Sequence, residues 1–167
     1  MNIKMRIFIV IIIVFVLVFI MSIAKLIVAK EQQEKFISQI PIFSFTDMNG
    51  KPFSNRHINE NNQKFIINYF SPNCEHCQSM ARQYVRDSNK LKNVQIMMVT
   101  SSIRQLAVKF INEYEIKRLS NVNVVIDTNY QFQQIFKKGV VPSFFIYEKD
   151  QLVNQIYGDV KIDLLLQ

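Results

Sequence analysis

The chain of 167 residues contains two cysteines, Cys74 and Cys77, and their spacing is its clearest sign of chemistry. The segment around them, residues 71–77, reads Ser-Pro-Asn-Cys-Glu-His-Cys and joins an apolar, strand-like run to a polar, helix-like run. Pro72 ends the strand and helps to aim the loop. Cys74 would then lie at a helix N-terminus, where free backbone N–H groups and the helix dipole stabilise a thiolate. Cys77, one turn further on, would be close enough to attack the Cys74 sulfur in a mixed disulfide, so the spacing predicts a redox-active pair.

Three other roles are open to this pair: a structural disulfide, two inert thiols, or half of a zinc site. A disulfide between such near neighbours closes a very small loop and stabilises the fold little. A zinc site needs two further ligands. The chain has only two histidines, His57 and His76, and His76 is predicted to point away from the pair on its helix. Redox chemistry is therefore favoured, and no metal ligand is predicted.

The first thirty residues form a separate segment. Every residue from 7 to 21 is apolar, and the run continues to residue 28 with Lys25 near its far end. As a helix, residues 7–28 span about 33 Å, enough to cross a hydrocarbon core of about 30 Å, and the Lys25 stem can reach the interface. A buried core helix is disfavoured, because no polar face interrupts the apolar run. We predict that residues 7–28 are a retained transmembrane anchor.

A cleaved signal peptide is the alternative for this segment. Lys4 and Arg6 would form its charged n-region, and Ser22-Ile23-Ala24 resembles a small-x-small cleavage site. Both alternatives place the N-terminus in the cytoplasm and the chain after about residue 30 on the other side of the membrane.

The basic composition does not indicate a nucleic-acid partner. The chain has 20 Lys and Arg residues against 13 Asp and Glu, which gives a net charge of +7. Residues 1–30 hold four of the cations and no acid, so the remainder carries only +3, and its cations are scattered. A nucleic-acid-binding surface needs a concentrated basic stripe, and we therefore predict no nucleic-acid binding.

Residues 31–40 are predicted to be a polar stalk and residues 41–167 a single domain. Strands that alternate with helices and end in a hairpin predict an α/β fold with a mixed central sheet flanked by helices. The predicted strands are 42–46, 64–70, 94–100, 122–126, 143–147 and 152–157, and the predicted helices are 74–91, 103–114, 130–136 and 159–166.

Two local signals refine this prediction. Asn49-Gly50 suits a tight hairpin turn and predicts an N-terminal β-hairpin. Ser101 and Ser102 are expected to cap the helix that follows them, with Ile103 among the residues of its inner face.

The strand, Cys-x-x-Cys and helix, followed later by Val141-Pro142-Ser143 ahead of a hairpin, resemble the thioredoxin superfamily. The N-terminal hairpin of residues 43–53 resembles in particular its membrane-anchored TlpA/ResA-like branch, and the likeness covers about residues 40–160. The resemblance implies a thioredoxin-like fold in which Cys74 attacks and Cys77 resolves. It further implies that Pro142 is a cis-proline facing the pair, which leaves the backbone of Val141 available to an extended substrate.

The sequence departs from the family pattern beside the cysteines. Asn68 stands where thioredoxin has a buried Asp, six residues before the first cysteine, a substitution that resembles the ResA-like branch. Met80 stands where many ResA-like proteins have a Glu, and Asn73 where a Trp is usual. Because both expected carboxylates are absent, neither can accept the Cys77 proton. Either water or a rearranged Glu75 does so, or the family mechanism does not transfer intact.

The two residues between the cysteines act in opposite directions. The negative charge of Glu75 disfavours the Cys74 thiolate and favours a reductant, whereas a protonated His76 favours the thiolate and an oxidant. The sequence leaves the direction of electron flow open.

These features predict a thiol–disulfide oxidoreductase on the outer side of a bacterial cytoplasmic membrane, acting on protein thiols or disulfides and needing no cofactor. A reductant in that oxidising compartment needs electrons from a transmembrane thiol carrier. Apocytochrome c is the substrate that the resemblance implies.

Two further classes of function are weighed against this one. Ser71-x-x-Cys74 partly matches the peroxiredoxins, which reduce peroxide with one cysteine. A Sco-type copper chaperone, or a tethered binding module, is the non-enzymatic alternative. Sco-like proteins use a longer Cys-x-x-x-Cys spacing and a late histidine, and no histidine follows His76 here.

Overall fold

The computed structural model describes residues 3–59 and 62–167, without the side chains of residues 4–6, and divides into two compact units. The first unit, Met1–Phe36, is built from helix α1 (Ile3–Ile37). Between Ile7 and Ile37 this helix is long and apolar enough to cross a membrane, which fits an anchor or a signal sequence. The side chains of Lys4 and Arg6, the predicted n-region, lie outside the described part.

The second unit, Ile37–Gln167, contains one mixed sheet with helices on both faces. Its strands are β1 (Ser44–Asp47), β2 (Pro52–Ser54), β3 (Lys64–Tyr69), β4 (Val94–Thr100), β5 (Val122–Ile126), β6 (Ser143–Glu148) and β7 (Gln151–Tyr157), and its helices are α2 (Glu75–Arg86), α3 (Arg104–Glu113), α4 (Gln131–Phe136) and α5 (Ile162–Leu165).

The strands lie in the order β2-β1-β5-β4-β3-β6-β7. The central strands β3, β4 and β5 are parallel, while the β1–β2 hairpin and the β6–β7 hairpin pair antiparallel with their neighbours. The predicted α/β fold with a mixed sheet and an N-terminal hairpin is confirmed. Gly50, in the turn of that hairpin, has a φ of +85°, a conformation that L-residues with a Cβ rarely adopt.

Side chains of β3 alternate between two cores, one on each face of the sheet. Ile66 belongs to the first core, which α2, α3 and α5 cover. Ile67 belongs to the second, which contains α4 and the phenylalanines of the N-terminal hairpin. Because both faces are covered, β3 and β4 are almost continuously buried and read in the sequence as unbroken apolar runs.

The second core is a stack of aromatic rings on α4 and the strands above it. Phe132 is fully buried, with its ring centroid 4.1 Å from that of Tyr69 and 4.5 Å from that of Phe136. The Asp127 carboxylate fixes the start of α4, because its two oxygens accept the backbone N–H groups of Gln131 and Phe132, each at 2.8 Å.

The start of α3 differs from the prediction. The residue that precedes the helix is Ile103 and not a serine, and it makes no side-chain capping bond. Ser101 instead shares a hydrogen bond of 3.2 Å with the Tyr69 hydroxyl, so its side chain contacts the end of β3 and not the start of α3. Ile103 is 62% exposed, and its assignment to the inner face was wrong because it lies just outside the helical turn.

Helix α2 is shorter than predicted. It ends at Arg86, and a 3₁₀ turn over residues 88–91 carries the buried Leu91. Asp87, which lies between the two elements, and Ser88 and Asn89, which begin the 3₁₀ turn, have side chains that compete with helical backbone bonds.

We predict that Phe132→Ala lowers the free energy of unfolding by about 3–5 kcal/mol, because it leaves a cavity in the aromatic stack. Ile42→Ala is the matched control, since Ile42 is 89% exposed and its truncation should cost less than about 0.5 kcal/mol. Urea unfolding of the full chain in detergent, followed by far-ultraviolet circular dichroism, measures both values. Equal costs for the two variants would contradict this description of the core.

Candidate active site

The pairing of β6 with β3 brings the two candidate segments together. The strands are antiparallel, and Tyr69 near the end of β3 stands opposite Ser143 at the start of β6. Residues 71–77 follow β3 directly, whereas Val141 and Pro142 directly precede β6. Both segments therefore meet at the same end of these two strands, although more than sixty residues separate them in the sequence.

Cys74 is the residue that precedes α2. Its backbone is extended, with φ −91° and ψ 119°, and its carbonyl accepts the backbone N–H of Gln78 at 3.0 Å. The side chain is half-buried, and Sγ lies 3.8 Å from the carbonyl oxygen of Val141. The sulfur thus sits at the amino end of the helix and is reachable from solvent.

Cys77 occupies the first turn of α2 and faces the first core. Its side chain is only 1% exposed, and it is a free thiol like Cys74. Burial raises the pKa of the Cys77 thiol well above its usual range, and the hydrogen bond with the Cys74 thiol raises it further, against a lowering backbone hydrogen bond from Ser71. The two thiols therefore differ in access and in surroundings, with Cys74 outside and Cys77 inside.

Val141 and Pro142 form the facing wall of the site. The peptide bond between them is cis, Pro142 is buried, and Val141 is half-buried. The Pro142 carbonyl accepts the backbone N–H of Gly158 at 2.9 Å, and the Ser143 hydroxyl donates to the carbonyl of Val140. These bonds leave the Val141 carbonyl turned toward Cys74.

The loop before Cys74 is held by α2 itself. The side-chain amide of Gln78 donates to the carbonyl of Pro72 at 3.1 Å, and Pro72 is buried. A groove of about 160 Å³ runs along this loop between Asn73 and α3, with Lys109 and Glu113 in its wall. A larger cavity of about 400 Å³ includes no residue of the segment 71–77.

Glu75 and His76 both lie exposed on the first turn of α2. His76 Nδ1 is 4.0 Å from an oxygen of Asp159, whose other oxygen accepts from the Gln83 side-chain amide at 3.1 Å. Sequence reasoning missed Asp159, because it lies in the loop after β7 and carries no local pattern that links it to the cysteines.

Asn68, on β3, and Met80, on α2, are the two positions that lack the expected carboxylates, and both are buried. Asn68 is 1% exposed, and its Nδ2 donates to the hydroxyl of Tyr84 at 2.9 Å. Its Oδ1 is buried and has no hydrogen-bond partner within the described residues. Burial raises the pKa of Tyr84 above its ordinary value, and the nearby Cys77 adds to the rise.

No group of three or more His, Cys, Asp or Glu side chains that could hold a metal ion occurs in residues 3–59 and 62–167. His57 lies in the turn after β2, where its ring stacks on Phe53 with centroids 4.7 Å apart.

Solved structures with this fold include several thiol–disulfide oxidoreductases. A secreted disulfide oxidoreductase of Mycobacterium tuberculosis, homologous to E. coli DsbE, is 15% identical, with 71% of this chain and 85% of that chain covered and a TM-score of 0.60. StoA of Bacillus subtilis is 16% identical, with 77% and 96% covered and a TM-score of 0.57. A thioredoxin-like protein of Aeropyrum pernix is 15% identical, with 87% and 98% covered and a TM-score of 0.59.

At these identities the structural matches establish a shared fold. No curated protein matches the chain significantly in sequence. The family model of the thioredoxin-like domain matches residues 52–167, a span that holds both cysteines, Pro142 and most of the sheet. With the order of the strands and the cysteine pair at the start of α2, this match shows that the chain belongs to the thioredoxin-like domain family.

Proposed function

We propose that this protein is a thiol–disulfide oxidoreductase that exchanges the Cys74–Cys77 pair with protein thiols or disulfides, and that it acts as a reductant outside the cytoplasmic membrane. The observation that carries the proposal is the contrast between the two thiols. Cys74 is reachable at the helix N-terminus, 3.8 Å from a backbone carbonyl, and Cys77 is buried one turn behind it.

The reaction follows from this placement. The Cys74 thiolate attacks a sulfur of the partner's disulfide, and one partner thiolate leaves. Cys77 then loses its proton and attacks Cys74 Sγ, so that the Cys74–Cys77 disulfide forms while the bond between Cys74 and the partner breaks. The partner gains two electrons and the protein loses two, and protons from the two cysteines end on the partner's sulfurs.

Val141 and Pro142 position the substrate. An extended partner segment next to the site can pair with the backbone of Val141, as strands pair at a sheet edge, while Pro142 closes the wall behind it. The loop on the opposite side of the site is held by the hydrogen bond from the Gln78 side chain to the carbonyl of Pro72. The groove beyond it, with Lys109 and Glu113, takes a neighbouring polar side chain of the partner.

The charges around Cys74 support a reductant. Glu75 lies exposed beside it, and Asp159 stands 4.0 Å from His76, so two carboxylates oppose one imidazole. By charge alone, this net negative surrounding favours a dithiol that donates electrons over one that accepts them.

The N-terminal segment supports the proposed location. Residues 7–28 cross the membrane as an anchor, residues 31–40 form the stalk, and residues 41–167 form the catalytic domain on the outer side, with the N-terminus in the cytoplasm. A transmembrane thiol carrier supplies electrons there. The resemblance to the TlpA/ResA-like branch implies the haem-binding cysteines of an apocytochrome c as the substrate.

We predict that iodoacetamide modifies Cys74 at least about tenfold faster than Cys77 in the reduced full chain, because Cys77 is buried with a raised pKa. Peptide mass spectrometry after brief labelling measures the ratio, and labelling in urea, where the preference should vanish, is the control. Faster labelling of Cys77 would contradict the assignment of Cys74 as the attacking thiol.

A second prediction concerns the direction of electron flow. We expect a Cys74–Cys77 reduction potential below about −250 mV, measured by equilibration with glutathione or dithiothreitol, whereas a value near about −120 mV would overturn the reductant proposal.

Partner capture tests the exchange itself. Cys77→Ala should accumulate mixed disulfides through Cys74 in whole cells, and the matched Cys74→Ala variant should not, as non-reducing gels would show. Peroxide consumption that needs Cys74 but not Cys77 would instead indicate a peroxiredoxin. Stoichiometric copper bound by both cysteines without disulfide exchange would indicate a chaperone.

We predict that carbonate extraction leaves the full-length chain in the membrane fraction and that protease added to spheroplasts digests the domain. Release of a shortened chain that begins near Lys25 would show a cleaved signal peptide. Protection of the domain in intact spheroplasts would contradict the proposed orientation.

A further inference from the structure

The loop that follows β7 contacts both sides of the candidate site. Its first residue, Gly158, donates its backbone N–H to the carbonyl of Pro142 at 2.9 Å. The next residue, Asp159, accepts a hydrogen bond of 3.1 Å from the side-chain amide of Gln83 on α2. Two consecutive residues thus connect the cis-proline segment with the helix that begins after Cys74.

These contacts close a ring around the site. From Gln83, helix α2 leads back to Cys74, whose sulfur lies 3.8 Å from the carbonyl oxygen of Val141. The cis peptide bond joins Val141 to Pro142, which returns to the loop after β7. The separation between the attacking sulfur and the facing backbone is therefore tied to the bond between the loop and α2.

The backbone of the loop makes both contacts possible. Gly158 has a φ of +89°, which turns the chain between the N–H that binds Pro142 and the side chain of Asp159 that binds α2. A Cβ at Gly158 would have no atom within 4 Å, so it is the backbone conformation and not the packing that favours glycine there. Further along, Val160 packs against the first core and Ile162 is buried in it. The loop is thus fixed on both sides of Asp159.

The Asp159 carboxylate is bound by Gln83 more closely than by His76. Oδ1 accepts from Gln83 Nε2 at 3.1 Å, whereas His76 Nδ1 lies 4.0 Å from Oδ2, beyond hydrogen-bonding distance. Gln83 Nε2 also contacts the sulfur of the buried Met80 at 3.5 Å, which restricts the amide. An uncharged oxygen could accept the same bond, so this contact needs an acceptor and not a negative charge.

We propose that Asp159 is a positioning residue for the partner protein. By accepting the bond from Gln83 it ties the segment of Pro142 to α2. It thereby holds the backbone of Val141 at the distance from Cys74 at which an extended partner segment can pair beside the attacking sulfur. Asp159 takes no part in the exchange of bonds. The inference rests on the proposed function and adds the residue that sets the width of its binding site.

This role predicts a distinction between two kinds of disulfide. A disulfide carried by an extended peptide uses the backbone of Val141 as well as the sulfur of Cys74, so its reaction depends on the distance between them. A small disulfide without a peptide backbone needs only Cys74. Loss of the bond between Asp159 and Gln83 should therefore slow the first reaction and leave the second unchanged.

Two uncharged probes measure this distinction in the reduced full chain, in detergent. One is a short, extended peptide whose single cysteine is joined to thiopyridine, and the other is dithiodipyridine. Attack by Cys74 releases the same thiopyridone from both, so the ratio of the two second-order rate constants isolates the contribution of the peptide backbone. We expect Asp159→Ala to lower this ratio about fivefold, the effect of losing about one hydrogen bond.

Two further variants test whether the bond itself is responsible. Asp159→Asn keeps an oxygen that can accept from Gln83 and should retain the ratio of the unchanged protein. Gln83→Ala removes the same bond from the other side and should lower the ratio as Asp159→Ala does. The double alanine variant should be no lower than either single variant, because the two changes remove one interaction.

Asp163→Ala is the matched control. Asp163 is an exposed carboxylate on α5, four positions after Asp159, and it pairs with Lys90 at 2.6 Å. Its replacement removes one negative charge from the same surface without touching the bond to Gln83, so it should leave the ratio unchanged.

The outcomes distinguish the two proposals. If the unchanged protein forms no Cys74–Cys77 disulfide with either probe, the proposed function fails. If it forms the disulfide and Asp159→Ala keeps the ratio, the positioning role of Asp159 is overturned. An equal fall in Asp159→Asn would also overturn that role, because the charge and not the bond would then be responsible. A comparable fall in Asp163→Ala would overturn it too, since that result reports a general effect of surface charge.

Discussion

The antiparallel pairing of β6 with β3 is the constraint on which the site depends. It sets Ser143 opposite Tyr69, and this register alone decides that Val141 and Pro142 border the start of α2. A shift by one residue would turn every side chain of β6 to the other face and carry Phe144 and Phe145 out of their two cores. Packing of these side chains in the two cores therefore fixes the register, and the register places Val141 and Pro142 next to the cysteine pair.

The same burial creates the difference between the two thiols. α2 lies on the first core through Cys77, Met80, Ala81 and Tyr84, so the second cysteine belongs to the packing of the helix. Cys74 precedes the helix and remains half-buried at its end. The proposed division of work between an attacking and a resolving thiol thus rests on where the amphipathic face of α2 begins. Any change that rotates this helix would alter the surroundings of both thiols together.

Much of this arrangement could be predicted from the sequence, because its signals are local. The apolar runs of β3 and β4, the Asn49-Gly50 turn and the Cys-x-x-Cys spacing each depend on neighbouring residues only. Contacts between residues that are distant in the sequence produce no such local pattern. The approach of Asp159 to His76 and of Tyr84 to Asn68 depends on how loops and helices pack. The exposed Ile103 shows a different failure: helical spacing does not predict burial at a helix end, where the backbone is already extended. The place of Pro142 beside the pair came from the family resemblance, since a proline at a strand start carries no such information by itself.

The absence of both expected carboxylates removes the proton acceptor that the family pattern would provide for Cys77. A buried carboxylate would accept a proton, and its own titration would add a pH dependence to the resolving step. Asn68 and Tyr84, the buried polar pair that shares a hydrogen bond there, cannot accept one near neutral pH. Glu75 next to Cys74 in the sequence and Asp159 next to His76 are the carboxylates described near the pair, and no buried carboxylate among the described residues contacts Cys77, so the negative charge of the site lies on its solvent side. That distribution of charge is the ground on which we propose that the pair donates electrons to its partner and closes the Cys74–Cys77 disulfide.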